Sequence, residues 1–272
     1  MITYRSLGRN GNTGNALFQY STLLSVGKDR GYTVKIPYNP SYFDVNYNCN
    51  NLSLQEGFVL TTALLEPSDD HTITNNYSES TFHYNPDILD IKDNTNIVGY
   101  FQTEKYFVHN RQYILDNLRF KDEIARSAAE LFTDLSINPT ETTSMHVRRG
   151  DFIHKQHFHP LLPLEYYKAG VQETATKNSN CILVFSDDID WCKQVFGGDR
   201  RIKYSTNKNP FVDMCAMSMC NNHIIGNSTF SWWGAWLNPN PTKIVVAPKG
   251  WFGLGYAHWT IKDLFPDSWI KL

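Results

Sequence analysis

Between Thr142 and Pro248 the sequence alternates regularly between short apolar runs and segments whose apolar residues have helical spacing. Five runs have the length and composition of buried strands: SMHVRR, CILVF, RIKYS, HIIG and KIVVAP. Four helical segments separate them: LEYYKAGVQETATK, DIDWCKQVF, PFVDMCAMSMC and STFSWWGAWL. Because strands that alternate with helices are joined by right-handed crossovers, this half of the chain predicts a parallel sheet covered by helices.

The first half of the chain carries a weaker version of the same pattern. ITYRSL predicts a strand, ALFQYSTLLSVGKDR a helix that stops at Gly31, and YTVKIPY a second strand. TNIVGYFQTEKYF predicts a further strand and turn, and residues 110–135 predict one long connecting helix. Residues 39–95 give no clear signal. We therefore expect two α/β domains, residues 1–138 and 139–272, with a C-terminal tail that can pack back on the first.

The charge and cysteine content argue against several functions. With 25 Lys+Arg against 27 Asp+Glu the formal net charge is −2, so no broad positive field is available to bind nucleic acid. The five cysteines form no C-x-x-C pair, which favours reduced thiols. The N-terminal sequence lacks a secretion signal, and no apolar stretch is long enough to span a bilayer. We therefore expect a cytoplasmic protein with no integral membrane segment. A chain of 272 residues can bury a core large enough for an enzyme.

Three polar loops follow predicted strands of the second half. RRGD follows SMHV, SDD follows CILVF, and GNSTFS follows HII. In an open parallel sheet, ligands bind outside the carboxyl ends of the strands, where loops and helix N-termini converge. We therefore expect these loops to face one binding site.

Two features of these loops indicate a phosphate site. Asn227, Ser228 and Thr229 are helix-capping residues, and a helix N-terminus presents unpaired N–H groups with a partial positive charge. Arg148 and Arg149 directly follow a neighbouring strand. A guanidinium group can donate two parallel hydrogen bonds to the oxygens of one phosphate. Plain N-capping explains the first feature, and a solvated surface or carboxylate pairing explains the second. Their coincidence at one sheet edge favours a diphosphate clamp.

Three aspartates near the clamp allow more than one role. Asp187 and Asp188 match a divalent-metal motif, an N-cap of the following helix, or a carboxylate that accepts from a base or a ribose hydroxyl. We favour the third role. Asp151 directly follows the clamp and is a candidate general base, although a salt bridge to one of the arginines is an equally ordinary role.

The histidines and tryptophans near these loops give no strong sign of a ligand. His154, His157 and His159 do not indicate zinc, because no downstream cysteine or histidine repeats their spacing. Trp232 and Trp236 lie four residues apart in a predicted helix, so we expect them to pack in the core rather than to stack on a sugar.

Five motifs occur together in the order GNALFQY, GYFQTEKYF, HVRRGDF, FSDDIDWCK and IIGNSTFSWWGAWLNPNPTKIVVAPKGWF. From Gly11 to Trp269 the chain resembles the α-1,2-fucosyltransferases of glycosyltransferase family 11. The resemblance implies a GT-B-like fold of two Rossmann-type halves facing a cleft, with the acceptor on the first half and GDP-fucose on the second. It also implies that L-fucose is transferred with inversion, in α-1,2 linkage, to a terminal galactose of a glycan, without a metal or other cofactor.

The resemblance also implies which residues bind the donor. Arg148 is expected to contact the β-phosphate with support from Arg149, and it matters more to the reaction than Asp151. The other expected donor-binding residues are His146, which lines the nucleotide, Asp187 or Asp188 at the guanine or ribose, Asn227, Ser228, Thr229 and Ser231 at the pyrophosphate, and Gly14 and Asn15 in the first half.

Two alternatives stay open on the sequence alone. The family commonly has a Gly-Leu-Gly-Asn-Gln turn where this chain reads Asn-Thr-Gly-Asn-Ala at residues 12–16, so a GDP-fucose-dependent transferase with another acceptor or linkage fits the same motifs. A catalytically inactive glycan-binding or nucleotide-binding module is the second alternative. The intact RRGD and NSTFS motifs argue against it, because a lectin has no use for a diphosphate site.

Overall fold

The computed structural model describes residues 1–9, 11–37, 54–175 and 181–272. Two compact units are present: residues 1–119 with 259–266, and residues 120–258 with 267–272. Residues 39–53, which include Cys49 and belong to the segment without a clear signal, lie outside the described residues. So do the last residues of two predicted elements, Tyr38 of the second strand and residues 176–177 of the helix after RRGD. The four described cysteines carry free thiols. No helix in the described ranges is both long enough and apolar enough to cross a membrane.

The first unit is built on a parallel sheet of five strands. Its elements are β1 (Ile2–Thr3), α1 (Thr13–Arg30), β2 (Val34–Pro37), α2 (Leu54–Gly57), β3 (Phe58–Val59), β4 (Ala63–Leu65), β5 (Asn75–Ser78), β6 (Thr95–Val98) and α3 (Arg111–Asn117). The strand order of the sheet is β4-β2-β1-β6-β5. A short strand, β7 (Arg119–Phe120), follows α3 where the chain passes to the second unit.

Helix α1 is buried along most of its length. It ends at Gly31, whose left-handed φ of +67° lets its N–H reach the Lys28 carbonyl. The predicted stop at Gly31 is confirmed. The strand predicted in ITYRSL is wrong beyond Thr3, because the Leu7 N–H donates to the Tyr4 carbonyl and turns the chain.

The single helix predicted across residues 110–135 is also wrong. Two helices, α3 and α4 (Asp122–Asp134), are separated there by the extended residues of β7. The Asn117 amide donates to the Tyr113 carbonyl at 2.8 Å and satisfies a carbonyl in the last turn of α3.

The second unit contains a six-stranded parallel sheet. Besides α4, its elements are β8 (Thr142–Val147), α5 (Leu164–Thr174), β9 (Cys181–Ser186), α6 (Ile189–Phe196), β10 (Ile202–Tyr204), α7 (Pro210–Met219), β11 (Asn222–Ile224), α8 (Thr229–Trp236), β12 (Val245–Ala247) and β13 (Ile270–Lys271). The five strands and four helices predicted from Thr142 onwards are confirmed. Strand β13 escapes prediction because two residues show no periodicity.

The strand order of this sheet reverses at one place. The order is β10-β9-β8-β11-β12-β13, so the chain moves from β8 towards one edge and then restarts at β11 towards the other. In open α/β sheets such a switch point leaves a crevice at the carboxyl ends of the two central strands, where ligands bind. The residues that follow β8 and β11 therefore occupy the position in this unit best suited to a ligand.

Tightly packed residues support that edge of the sheet. One core cluster of the second unit consists of Met145, Val147, Tyr166, Tyr167, Ile182, Val184, Cys192, Ile224 and Val246. On α8, Trp232 is fully buried and stacks on Trp236 with ring centres 6.2 Å apart. The prediction that these two tryptophans pack in the core is confirmed.

Candidate active site

The three polar loops predicted to converge lie together at the carboxyl edge of the second unit's sheet. The N–H groups of Arg149 and Gly150, after β8, donate to Asp187 Oδ1, after β9, at 2.8 and 3.1 Å. A Cβ on Gly226, after β11, would lie 3.0 Å from the carbonyl oxygen of His146, so this loop packs directly against the end of β8. The convergence of the loops is confirmed.

Arg148 is held between two carboxylates. Its Nη1 lies 2.5 Å from Asp187 Oδ2, and its Nη2 lies 2.5 Å from Asp151 Oδ1. The guanidinium carbon lies 5.2 Å from the centre of the Phe152 ring. Because a guanidinium has five N–H donors in one plane, these ion pairs fix the plane of the group and use only part of its donor capacity.

Arg149 is fixed by a different pair of contacts. Its Nε donates to Asp188 Oδ2 at 2.9 Å, and its guanidinium carbon lies 3.8 Å from the centre of the Trp191 ring. Asp188 also accepts from the Trp191 N–H at 3.3 Å and so caps α6. The N-cap alternative is therefore observed for Asp188, and a contact from Asp187 or Asp188 to a ribose or a base stays a prediction.

Asp187 brings the β9 loop close to the β8 loop at Gly150. A Cβ on Gly150 would lie 2.4 Å from Asp187 Oδ2, so a larger residue there would displace this carboxylate. The same carboxylate positions Arg148, so the close approach fixes the geometry of the arginine.

Asp151 is paired with two cations. Its carboxylate accepts from Arg148 and from Lys155 Nζ, the latter at 2.8 Å. Partial burial raises the pKa of the Asp151 carboxyl, but the hydrogen bond from Lys155 and the charges of Arg148 and Lys155 outweigh that effect and hold the pKa below its usual range. A carboxylate with a lowered pKa is a poor proton acceptor, so the salt-bridge role is the one that the geometry supports.

The full charges of this cluster balance. Three cations, Arg148, Arg149 and Lys155, are paired with three anions, Asp151, Asp187 and Asp188. At long range the cluster therefore attracts an anion only weakly. Attraction of a phosphate has to come from short-range hydrogen bonds, whose strength depends on how the donors are oriented.

The loop that leads into α8 lies against the backbone of Arg148, since a Cβ on Gly226 would lie 3.6 Å from the Arg148 nitrogen. Ser228 caps the helix by accepting from the Phe230 N–H at 3.4 Å, and Thr229 is its first residue. The Ser231 hydroxyl donates to the Ser228 carbonyl at 3.1 Å and lies 3.4 Å from the Gly226 carbonyl. Both serine hydroxyls thus shape the turn, and the N–H groups of the first turn are the anion-binding element that α8 offers.

Two buried polar atoms at this edge have no hydrogen-bond partner among the described residues. They are Nδ1 of His146, which is 7% exposed, and Oδ1 of Asn227, whose amide nitrogen donates to the Pro160 carbonyl at 2.8 Å. Burial and the charge of Arg148 lower the pKa of His146 to about 3, so its ring is neutral. Buried polar atoms normally have a hydrogen-bond partner, so these two atoms are available to a water or a ligand.

Comparison with known proteins decides the family. Residues 5–272 match the family described as glycosyl transferase family 11. The chain belongs to glycosyltransferase family 11. Among relatives, O-antigen biosynthesis glycosyltransferase WbnK of Escherichia coli is 35% identical over 193 residues, which cover 68% of this chain and 63% of WbnK.

Two further relatives match over more of their length. Alpha-1,2-colitosyltransferase of Escherichia coli is 26% identical, and the match covers 96% of each chain. Galactoside alpha-(1,2)-fucosyltransferase 2 of Gorilla gorilla gorilla is 24% identical, and the match covers 89% of this chain and 70% of the relative. This chain thus spans less than two thirds of the length of WbnK, but almost the whole length of the colitosyltransferase.

Solved fucosyltransferases share the fold of this family 11 chain at low sequence identity. POFUT1 in complex with GDP has a TM-score of 0.55 at 10% identity, covering 89% of this chain and 96% of POFUT1. NodZ alpha-1,6-fucosyltransferase soaked with GDP-fucose has a TM-score of 0.56 at 14% identity, covering 88% and 92%. The fold is therefore GT-B-like, with two Rossmann-type units, as predicted.

Two of the residues expected to bind the donor lie in the first unit of the family 11 chain. Gly14 and Asn15 belong to the first turn of α1, and Gly14 is buried. Asn15 Oδ1 accepts from Gln102 Nε2 at 3.1 Å, which joins the GNALFQY motif to GYFQTEKYF. Their role at the donor stays a prediction.

The three histidines after RRGD lie in an aromatic segment of the second unit. The His159 ring stacks on Phe152 with centres 4.6 Å apart, and the Gly253 N–H donates to the Phe158 carbonyl at 2.9 Å. Among the residues that the structure describes, no group of three histidines, cysteines, aspartates or glutamates is arranged to hold a metal ion.

Several contacts of the family 11 site were not predicted from the sequence. Lys155 lies four residues after Asp151, a spacing at which opposite charges often pair, so the sequence alone could have predicted this ion pair. The aromatic partners of the arginines, Phe152 and Trp191, have no sequence signal, because these contacts depend on how separate loops meet.

Proposed function

We propose that this protein transfers L-fucose from GDP-fucose, with inversion and in α-1,2 linkage, to a terminal galactose of an oligosaccharide or glycan. The observation that carries the proposal is Arg148, held by Asp151 and Asp187 beside the start of α8 at the switch point of the sheet. A guanidinium and a helix N-terminus are the two groups with which α/β proteins most often bind phosphate. Relatives named for α-1,2-fucosyl and α-1,2-colitosyl transfer support the linkage.

In this reaction the site acts on the leaving group. The bond between C1 of fucose and the β-phosphate oxygen breaks, and O2 of galactose forms a new bond to C1 from the opposite face, so the configuration inverts. GDP takes the electron pair of the broken bond, and the galactose hydroxyl gives its proton to solvent. Arg148 and the first N–H groups of α8 stabilise the charge that develops on GDP, and this stabilisation supplies most of the acceleration when the sugar resembles an oxocarbenium ion.

Asp151 acts in this scheme by positioning Arg148. We expect Asp151→Asn to weaken GDP binding and to lower kcat/KM by similar factors of about tenfold, because the amide replaces a charged partner by a neutral one. Calorimetric titration with GDP and steady-state kinetics measure the two quantities. An unchanged GDP affinity with turnover slowed about 100-fold or more would instead identify Asp151 as the general base.

Donor binding is the first test of the proposal. We expect calorimetry with EDTA present to show GDP binding at least about 100-fold tighter than UDP binding, because the N–H donors of the arginines and α8 bind the diphosphate without a metal and the site distinguishes the bases. UDP is the matched control, since it carries the same diphosphate. Equal affinity for both nucleotides, or binding that requires a divalent metal, would overturn the donor assignment.

Product analysis tests the reaction itself. With GDP-fucose and galactose-terminated acceptors, we expect a product whose NMR spectrum shows fucose α-linked to O2 of galactose. A second candidate donor carries colitose, which the match over 96% of a colitosyltransferase favours, and competition between the two sugar nucleotides separates these possibilities. A chain that binds GDP but transfers neither sugar to any acceptor of the panel would be a binding module rather than an enzyme.

A further inference from the structure

One histidine of the segment after RRGD lies close to the arginine cluster. The His159 ring stacks on the Phe152 ring at an angle of 13°, with ring centres 4.6 Å apart. The guanidinium carbon of Arg148 lies 5.2 Å from the centre of the same Phe152 ring. These two distances together place the His159 ring within about 10 Å of the Arg148 guanidinium, so both groups can reach one bound sugar nucleotide.

The same histidine is tied to the loop that leads into α8. The His159 N–H donates to the Lys155 carbonyl at 2.8 Å. The carbonyl of the next residue, Pro160, accepts from the Asn227 side chain at 2.8 Å. Because Asn227 directly precedes the N-cap of α8, His159 has a fixed position relative to both elements that are proposed to bind the diphosphate, Arg148 and the start of α8.

The ring nitrogens of His159 are available to a substrate. In the part of the chain that the structure describes, no hydrogen bond or ion pair engages either of them. The His159 side chain is half-buried, whereas His154 and His157 of the same segment are exposed. A neutral imidazole has one nitrogen that can accept a proton, so this ring offers a free proton acceptor near the arginine cluster.

The surroundings of His159 favour the neutral form of the ring. Burial lowers the pKa of His159, the charge of Asp151 opposes this effect, and the charges of Lys155 and Arg148 add to it, so the pKa lies below its usual value of 6.5. The ring of Tyr256 also packs on His159, with ring centres 5.6 Å apart. At neutral pH most of the protein therefore carries His159 in the form that accepts a proton.

We propose that His159 is the general base of the transfer and removes the proton from the galactose hydroxyl. As O2 of galactose forms its bond to C1 of fucose, the O–H bond breaks and the proton moves to the basic nitrogen of the ring. The bond from C1 to the β-phosphate oxygen breaks, and its electron pair leaves with GDP. The imidazolium then loses its proton to solvent. The proposal rests on the proposed function, because it takes the fucose to lie beside Arg148.

Asp151 is less suited to this step than His159. The Asp151 carboxylate is paired with Arg148 and Lys155, so protonation would weaken two ion pairs. Protonation of His159 breaks no such contact among the described residues, and the positive charge that it creates is favoured by the nearby Asp151. Asp151 therefore positions the arginine, and His159 accepts the proton.

The test separates loss of the base from loss of the ring. His159→Phe keeps an aromatic ring against Phe152 but has no nitrogen. We expect its kcat to fall about 100-fold or more, while its GDP affinity, measured by calorimetry, changes by less than about threefold. Near-normal turnover in this variant would overturn the proposal, and so would a loss of GDP affinity as large as the loss of kcat.

Chemical rescue distinguishes a missing base from a damaged site. His159→Ala leaves a space beside Phe152, and added imidazole can occupy it and accept the proton. We expect imidazole to raise the rate of this variant at least about tenfold, in proportion to the neutral imidazole present. A variant that imidazole does not activate would contradict the proposal. His154→Gln is the matched control, because it changes an exposed histidine of the same segment, and its kinetics should be normal.

The pH profile of the unsubstituted protein keeps the proposal testable even if these variants do not fold. We expect kcat/KM for GDP-fucose to be level at neutral pH and to fall about tenfold per pH unit on the acid side, with a midpoint below 6.5. His159→Phe should lack this acid limb. A rate that stays level at every pH where the unsubstituted protein is folded would overturn the proposal. Failure of the unsubstituted protein to transfer fucose at any pH would overturn the proposed function instead, so the two failures are distinguishable.

Discussion

Replacing Arg148 with alanine is expected to lower the rate of fucosyl transfer at least about 1000-fold and to weaken GDP binding about 100-fold. The substitution removes the guanidinium and also leaves Asp151 and Asp187 without their common partner. A cluster whose charges balance would then carry one net negative charge beside the diphosphate. Transfer is expected to suffer more than binding of GDP-fucose, because the charge on the departing diphosphate increases between bound GDP-fucose and the transition state.

Steady-state kinetics with GDP-fucose and calorimetry with GDP measure these effects. Arg148→Lys tests the geometry, since it keeps the charge but loses the planar fork that reaches both carboxylates, and it is expected to recover only part of the loss. Arg201→Ala is the matched control, because Arg201 pairs with Asp199 at 2.6 Å outside the three loops. Normal kinetics in Arg148→Ala would refute the clamp.

The sequence predicted where this site lies in the fold, but it did not predict which charged residues pair there. Parallel strands buried on both faces read as short apolar runs, so β8, β9 and β11 are evident from composition, and their loops had to meet at one edge. Which carboxylate pairs with which arginine depends on distances between loops. The sequence therefore offered a salt bridge from Asp151 to one of the arginines only as one of two roles.

The first unit was harder to predict for a related reason. Its strands are short and partly polar, as in NNYS of β5, so they are too short to show the alternation of apolar and polar residues that identifies a strand. Strands β4 and β5 also lie in residues 39–95, which gave no clear signal.

The largest effect on stability is expected from Trp232→Ala. The Trp232 side chain is fully buried, and its ring centre lies 5.1 Å from that of Trp233, 6.2 Å from that of Trp236 and 5.4 Å from that of Trp269. Removing a buried indole costs about 4 kcal/mol of unfolding free energy, a large part of the total for a typical domain. We expect a lower Tm and a lower urea midpoint for the second unit.

The same substitution should also show how the core supports the site. Trp232 lies one turn beyond Ser228, so a cavity under α8 loosens the turn whose N–H groups are proposed to bind the diphosphate. Since the proposed function requires the folded state to bind GDP, saturating GDP should raise the Tm of the variant and recover part of the loss. Trp232→Phe is the matched control, since it keeps an aromatic ring and should lose less stability. An unfolding free energy within about 1 kcal/mol of the unsubstituted protein would mean that α8 does not depend on this packing.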